Sequence, residues 1–206
     1  MKITKELAYI LGAFKDGSIY KNEKQGIYRI RLYQKSREWL LEVRKLIKKV
    51  FGKELHLRKD PRKELWYLEI NSKEFFQTLS ELLSKSVPEI VEKSSLEIKK
   101  SFIQGVFDAE GGIMRIENYE NDPIRLRKKL SDIRIRFGQT DKKLLSFIKQ
   151  TLEELGISCG KICGPFLKTK TSKGYYELNS YGIKNLKKFN LLIGSKHPLK
   201  IWRISK

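Results

Sequence analysis

FIQGVFDAEGGI, residues 102–113, begins as an apolar, helix-like run and ends with two acids and a Gly-Gly pair. Its apolar residues recur at helical spacing, which predicts a helix with a buried face. An acid at the C-terminal end of a helix faces the negative end of the helix dipole. A buried carboxylate is costly unless it is paired or binds a metal. The placement of Asp108 and Glu110 therefore indicates that this helix end serves a purpose other than stability.

An internal repeat accounts for a second copy of this pattern near the start of the chain. Three pairs of segments recur in the same order: LAYILGAFKDGSI (7–19) with FIQGVFDAEGGI, the helix-like run from Gln34 with the run from Gln139, and YLEINS (67–72) with YYELNS (175–180). Both helix-like runs end near a glycine, which is a common helix stop. The three matches predict a duplication, with two copies of a unit of about 95 to 105 residues.

Each copy reads helix, strand, strand, helix, strand, strand, helix. Strand runs joined by short turns predict antiparallel pairs, so the expected fold class is α+β, with two pseudo-symmetric αββαββα units. We place the first repeat at 1–84, a linker at 85–95, the second repeat at 96–194, and a tail outside the repeat at 195–206.

The composition indicates a polyanionic partner. Lys and Arg number 44 against 24 Asp and Glu, which gives a net charge of +20, and nucleic acid is the first candidate for such a chain. No apolar run approaches the ~20 residues of a membrane-spanning helix, so we expect no membrane partner. The first residues lack the pattern of a signal peptide. Cys159 and Cys163 have no second pair of ligands nearby in sequence, so we expect no zinc site.

Strand periodicity places the positive charge on one face of each predicted sheet. Arg29 and Arg31 alternate with apolar residues in the first repeat, and Arg134 and Arg136 do so in the second. An ordinary solvent-facing surface of an antiparallel sheet is the alternative interpretation. Such a surface would mix both signs of charge, whereas these faces hold Arg, His and Tyr with few acids. We therefore predict that the sheets bind nucleic acid.

Both copies end their first helix on an acid that precedes a glycine, Asp16 and Glu110. One acid-glycine pair alone would be read as a turn, but two at matched positions favour a shared role. Gly12 and Gly105 would allow the two helices to approach closely and would bring the acids together. Neighbouring carboxylates repel unless a cation lies between them, and oxygen ligands favour a hard ion such as Mg²⁺. A carboxylate–metal site beside a basic surface suits phosphodiester hydrolysis.

The segments GVFDAEGG and LGAFKDGSI resemble the paired motifs of the LAGLIDADG homing endonucleases, and the order of elements is also that of this family. The resemblance is to the single-chain form with two motifs and covers nearly the whole chain. It implies a saddle of two antiparallel sheets in the major groove of a long DNA site, with the motif helices at the interface between the halves. It further implies a monomeric, site-specific double-strand DNA endonuclease, encoded in an intron and active inside the cell, that leaves short 3′ overhangs.

The resemblance assigns metal ligands to the two motifs. Asp16 and Glu110 would bind the metal, and the backbone carbonyls of Lys15 and Ala109 would be auxiliary ligands. Mg²⁺ is the expected cofactor, Mn²⁺ its substitute, and Ca²⁺ an ion that binds without supporting cleavage.

The resemblance also assigns polar residues that follow the second strand of each repeat. These are Gln34 with Lys35 in the first repeat and Gln139 in the second, and Lys35 is the candidate to contact the scissile phosphate or to order water. The expected DNA-binding residues lie on the basic strand faces. They are Tyr20, Arg29, Arg31, Tyr33, His56, Arg58, Arg115, Arg134, Arg136, Lys168 and Lys170.

Two features of the first motif depart from the family pattern. Gly12 lies four residues before Asp16, whereas Gly105 lies five residues before Glu110, and Lys15 occupies a position where the family usually has a small residue. A long side chain there would crowd the metal or supply a positive charge. Two alternative functions stay open for the same fold, an intron maturase that binds RNA and a DNA-binding protein without activity. The presence of both acids favours the endonuclease.

Overall fold

A computed structural model of the chain describes residues 2–85, 90–114, 133–167 and 174–200. The described residues form two compact units. The first unit holds the residues up to Ala109 together with those from Ser195 to Lys200, and the second runs from Glu110 to Gly194. None of the described helices is long and apolar enough to cross a membrane.

The elements of the first unit follow the predicted order. They are α1 (Lys5–Ala13), a 3-10 turn (Phe14–Asp16), β1 (Ser18–Asn22), β2 (Ile27–Gln34), α2 (Arg37–Phe51), β3 (His56–Lys59), β4 (Trp66–Asn71), α3 (Lys73–Lys85), α4 (Leu96–Glu110) and a second 3-10 turn (Pro198–Lys200). The strands form an antiparallel sheet in the order β1-β2-β4-β3. The last residue of α4, Glu110, is counted with the second unit.

Local sequence signals explain where these helices begin. Thr4 and Ser36 accept hydrogen bonds from the backbone amides of the first turns of α1 and α2, and Ser72 does the same for α3. Such N-caps satisfy amides that have no partner within the helix. Gly52 ends α2 in the left-handed conformation, which a residue without a side chain adopts at little cost.

The second unit repeats the arrangement of the first from β1 to α3. Its elements are β5 (Gly112–Met114), β6 (Arg134–Gln139), α5 (Lys142–Glu154), β7 (Cys163–Phe166), β8 (Tyr175–Tyr181) and α6 (Ile183–Leu192). The strands pair antiparallel in the order β5-β6-β8-β7. The predicted α+β class with two antiparallel sheets is therefore confirmed.

The cores of both units are built from the apolar residues that sequence periodicity selects. In the first unit, Ile30 and Leu32 of β2 and Leu40 of α2 are fully buried, and in the second Ile135 and Phe137 of β6 are. The arginines that alternate with them are only half-buried. The predicted separation of an apolar and a basic face is therefore confirmed in both β2 and β6, and the basic faces are accessible to another molecule.

Candidate functional site

The motif helices α1 and α4 pack at two glycines within the first unit. A Cβ atom on Gly12 would lie 2.2 Å from the carbonyl oxygen of Phe102, and a Cβ atom on Gly105 would lie 2.2 Å from that of Tyr9. No side chain fits at such distances, so glycine is required at both positions for this close backbone approach. An ion pair between Lys5 and Glu97 at 2.9 Å lies at the start of both helices, which run in the same direction.

The 3-10 turn after α1 compensates for the unequal spacing from glycine to acid in the two motifs. The chain from Gly12 to Asp16 changes from α-helix to a 3-10 turn, whereas α4 stays α-helical from Gly105 to Glu110. One α-helical step and three 3-10 steps advance along the axis by about 7.5 Å, as five α-helical steps do. Each acid thus lies about equally far beyond its packing glycine, despite the missing residue in the first motif.

Asp108 is directed into the first unit and is fully occupied there. Its carboxylate is completely buried and accepts hydrogen bonds from the Tyr9 hydroxyl at 2.6 Å, from the backbone amide of Lys196 at 2.9 Å and from the Ser195 hydroxyl. Trp39 Nε1 in turn donates to the Tyr9 hydroxyl at 2.7 Å. With both oxygens engaged, Asp108 is a structural acid and not a metal ligand.

Burial changes the acidity of this pair. Desolvation raises the pKa of Asp108, while the hydrogen bonds from Ser195, Tyr9 and the Lys196 amide oppose that rise. The pKa of Tyr9 is raised well above its usual value by its own burial and by the neighbouring Asp108 carboxylate. The Tyr9 hydroxyl is therefore a permanent donor to Asp108 in the physiological range.

Glu110 is directed to a different neighbour, the side chain of Gln139. Gln139 Nε2 donates to a carboxylate oxygen of Glu110 within the second unit. In the first unit, Gln34 Nε2 donates to the Ala109 carbonyl at 3.1 Å, and Gln34 Oε1 accepts from the Lys35 amide at 2.9 Å. The two glutamines named from sequence therefore each contact the end of α4, and the exposed Lys35 lies beside one of them.

Lys15 extends away from the end of its helix. Its ammonium donates to the Leu83 carbonyl at the end of α3, at 3.3 Å, while its backbone belongs to the 3-10 turn that carries Asp16. The Asp16 side chain itself is exposed. The long side chain of Lys15 therefore extends toward the end of α3, and the motif accommodates it there.

The donors at each helix end, taken separately, are of the chemical type that a hard divalent ion binds. Within the described part of the chain, no group of three or more His, Cys, Asp or Glu side chains could hold a metal. Asp16 offers carboxylate oxygens beside the Lys15 carbonyl in the first unit, and Glu110 offers carboxylate oxygens in the second. This is the sparse, oxygen-only set that Mg²⁺ accepts, because it keeps several waters and binds phosphate oxygens. The residues present thus fit such an ion.

Each sheet carries an arginine–glutamate ion pair on its basic face, at equivalent positions of the two repeats. Arg31 of β2 pairs with Glu69 of β4, and Arg136 of β6 pairs with Glu177 of β8. Both glutamates are only 15% exposed. Arg31 also donates to the Tyr33 hydroxyl at 3.2 Å, so its guanidinium is held in one orientation.

The structure places most of the predicted DNA-binding residues on these faces. Tyr20, Arg29 and Arg31 line an open cavity of about 390 Å³ on the first sheet, and Tyr33 packs on Tyr67 with ring centres 5.2 Å apart. On the second sheet, Arg134 and Arg136 approach the Met114 sulfur at 3.5 and 3.7 Å. His56 and Arg58 are exposed on β3. Arg115, Lys168 and Lys170 lie outside the described residues.

Sequence reasoning missed two sets of residues. Glu69 and Glu177 are the glutamates of the repeated YLEINS and YYELNS segments, so their recurrence was a signal that they act together with the arginines. Ser195 and Lys200 belong to the tail, which we expected to lie outside the repeat. No sequence pattern indicates their contacts with α4, because these residues lie more than 80 positions apart along the chain.

Comparison with known proteins identifies the family and the fold of the chain. A family profile described as a LAGLIDADG-like domain matches residues 4–84 and 97–194. The homing endonuclease I-ApeI of Aeropyrum pernix is 24% identical over 205 residues, which cover 94% of this chain and 83% of that protein.

Solved structures show the same fold. The homing endonuclease I-DmoI, in a crystal structure with DNA and Mn, superposes with a TM-score of 0.64 at 22% identity and covers 94% of this chain and 98% of its own. The N-terminal LAGLIDADG domain of WhiA gives a TM-score of 0.61 at 15% identity, over 95% of this chain and 85% of that one. Since the family profile matches most of the chain, in two copies, the protein belongs to the family of LAGLIDADG-like domains.

Proposed function

We propose that the protein is a site-specific DNA endonuclease that hydrolyses phosphodiesters of double-stranded DNA with a divalent metal. The observation that carries this proposal is the pair of acids, Asp16 and Glu110, each about equally far beyond a packing glycine in a motif helix. Basic sheet faces in both units and the similarity to a homing endonuclease over 94% of the chain support it.

Asp16 and Glu110 would hold the metal, with the Lys15 carbonyl as an auxiliary ligand. The Ala109 carbonyl, the second auxiliary ligand expected from sequence, accepts from Gln34 Nε2 and Lys200 Nζ, so it would join the metal only after releasing these donors. Mg²⁺ is the proposed cofactor, with Mn²⁺ as a substitute and Ca²⁺ as an ion that permits binding without cleavage. The bound metal supplies Lewis acidity toward the phosphate and lowers the pKa of a coordinated water. Gln139 would orient the Glu110 carboxylate to which it donates a hydrogen bond.

Gln34 and Lys35 would act on the DNA side of the site. Gln34 contacts the end of α4 and the backbone of Lys35 at once, so it can fix the position of that lysine. The exposed Lys35 ammonium would neutralise the charge of the scissile phosphate, as a positioned cation does in phosphoryl transfer.

The arginine–glutamate pairs would take part in DNA recognition. Arg can bind guanine bidentately in the major groove, and a guanidinium held by a carboxylate keeps its plane fixed before binding. Arg31 and Arg136, held by Glu69 and Glu177, are therefore the proposed base-reading arginines. The remaining positive charge would contact phosphates, which position the protein without reading sequence. The protein would act on DNA inside the cell as a monomer.

Selection of cleaved sites from a randomised DNA library tests the proposal. The wild-type protein is incubated with Mg²⁺, Mn²⁺ or Ca²⁺ and with a chelator, and products are sequenced at both ends to define the site and the overhang. Cleavage with Mg²⁺ and none with the chelator is the expected result. Glu110→Gln should slow cleavage by about 100-fold or more while DNA binding persists, because a bound metal lowers the activation barrier by several kcal/mol.

An inactive wild-type protein that binds the same DNA tightly would contradict the proposal and favour a binding protein. Asp108→Asn is the matched control for Glu110→Gln, since it also neutralises an acid at the end of α4. It is expected to lower stability without removing metal-dependent cleavage by the folded fraction.

A further inference from the structure

The end of α4 receives a cation from outside its own helix. The last turn of α4 contains two acids and no basic residue. Lys200 fills this role: its ammonium donates to the carbonyls of Phe107 at 3.0 Å, Asp108 at 2.8 Å and Ala109 at 3.4 Å. These carbonyls belong to the last turn of α4, which forms the negative end of the helix dipole, so a cation there is stabilising.

The segment that carries Lys200 is anchored at several points of the first unit. The Ser195 hydroxyl and the Lys196 amide bind the buried Asp108. The His197 ring packs on Trp39 with centroids 5.6 Å apart, and its Nδ1 accepts from the Leu199 amide at 3.2 Å. The Pro198–Lys200 turn is closed by a hydrogen bond from the Lys200 amide to the His197 carbonyl at 2.9 Å. The ammonium is therefore directed by a built structure.

We propose that Lys200 is a positioning residue of the cleavage site. By holding the carbonyls of the last turn, it fixes the backbone from which Glu110 projects and offsets the dipole that opposes an acid there. Residues 195–200 lie beyond the part of the chain that the family profile matches. Lys200 thus adds to the site from outside the two matched repeats, and this inference rests on the proposed endonuclease function.

Three variants of the full-length protein test this role. Lys200→Met removes the charge and keeps the length of the chain, and Lys200→Arg restores a cation. Lys196→Met is the matched control, since its ammonium lies over the Tyr9 ring at 4.6 Å while its backbone amide, which binds Asp108, is unchanged. Hydrogen exchange of the amides of residues 109–112 in the metal-free protein is the first readout. The single-turnover cleavage rate with Mg²⁺ is the second.

Lys200→Met should speed exchange at residues 109–112 and slow cleavage, each by about 10-fold, as loss of a group that orients a metal ligand does. DNA affinity in the absence of cleavage should change less than threefold. Lys200→Arg should recover most of both effects, and Lys196→Met should stay within threefold of the wild type in both.

Unchanged exchange in Lys200→Met would overturn the proposal, and slower cleavage without faster exchange would also overturn it, because Lys200 would then act on DNA directly. Equal effects of Lys196→Met and Lys200→Met would show that the total positive charge of the tail matters and not the specific contacts of Lys200, which would refute the proposal. If the Lys200→Met protein is unfolded, the Lys200→Arg protein still tests whether exchange and rate depend on the cation's geometry. A wild-type protein that cleaves no DNA would refute the endonuclease function, whereas the exchange data would still test the position of the helix end.

Discussion

Two acids only two residues apart in one helix end serve different purposes. Positions two apart in an α-helix point about 200° apart around the axis, so Asp108 and Glu110 face opposite sides of α4. Asp108 is buried against Tyr9 and the tail, whereas Glu110 meets Gln139. The motif sequence thus combines a structural acid with a candidate metal ligand, because helix geometry directs the two side chains to different surroundings.

His197 makes the stability of the tail depend on pH. Burial, together with the charge of Lys200, lowers the pKa of His197 to about 4. The unfolded chain binds a proton near pH 6.5, and the folded chain does so only near pH 4. The contribution of the neutral His197 ring to the free energy of unfolding is therefore fully present above pH 6.5. It is lost as the pH is lowered from 6.5 to 4, by up to about 3 kcal/mol. Urea unfolding between pH 7.5 and pH 4.5 measures this loss.

The His197→Asn variant isolates that contribution. The Asn side chain offers an oxygen acceptor near the position of Nδ1 but does not titrate in this range. The difference in unfolding free energy between wild type and variant should shrink as the pH falls, since the other titratable groups are the same in both proteins. A difference that stays constant across this pH range would contradict the assigned pKa.

At the scale of elements, the packing of α1 on α4 depends on backbone approach at single positions. An alanine Cβ at Gly105 would lie 2.2 Å from the Tyr9 carbonyl oxygen and 2.9 Å from the Ala13 nitrogen. Backbone atoms at such distances can relax only by separating the helices, so Gly105→Ala should cost about 3 kcal/mol or more of unfolding free energy. The helix propensity of alanine, worth about 1 kcal/mol, offsets only part of this cost.

Gly138→Ala is the matched control for that substitution. Gly138 lies in β6, where an added Cβ atom would meet no heavy atom within 4 Å, and its backbone is not left-handed. Alanine there should leave stability unchanged or raise it slightly. Both variants are measured by thermal and urea unfolding. Equal destabilisation would show that the close approach of α1 and α4 does not explain the loss of stability in Gly105→Ala.

Elements formed by local signals could be predicted from sequence, and tertiary contacts could not. The caps at Thr4 and Ser72 and the alternation in β2 follow from residues a few positions apart. The 3-10 turn at Phe14–Asp16 has no such local signal. The partners of Asp108 also escaped prediction, because hydrogen bonds from a distant tail leave no period in the sequence.

At the scale of the whole molecule, the duplication preserves more than the order of elements. Both repeats keep a glutamine at the end of the second strand, and both keep the arginine three residues before it with its glutamate partner. The paired glutamates lower the net charge of each face without removing its arginines. Each face is therefore positive and also holds one arginine side chain in a fixed orientation. This arrangement favours recognition of base edges over attraction of any polyanion.

The net charge of +20 predicts a steep loss of DNA affinity with salt. A protein with six to ten phosphate contacts loses about 10³- to 10⁵-fold in affinity between 50 and 200 mM salt. If the sheet faces carry this attraction, the double variant Arg29→Gln and Arg134→Gln should flatten the slope of log affinity against log salt by about one to two. The control Lys45→Gln with Lys149→Gln removes two helix lysines, each paired with a glutamate on its own helix, and should keep the slope. Equal flattening in both double variants would attribute binding to net charge alone, because the slope counts only the cations that displace counterions from phosphate.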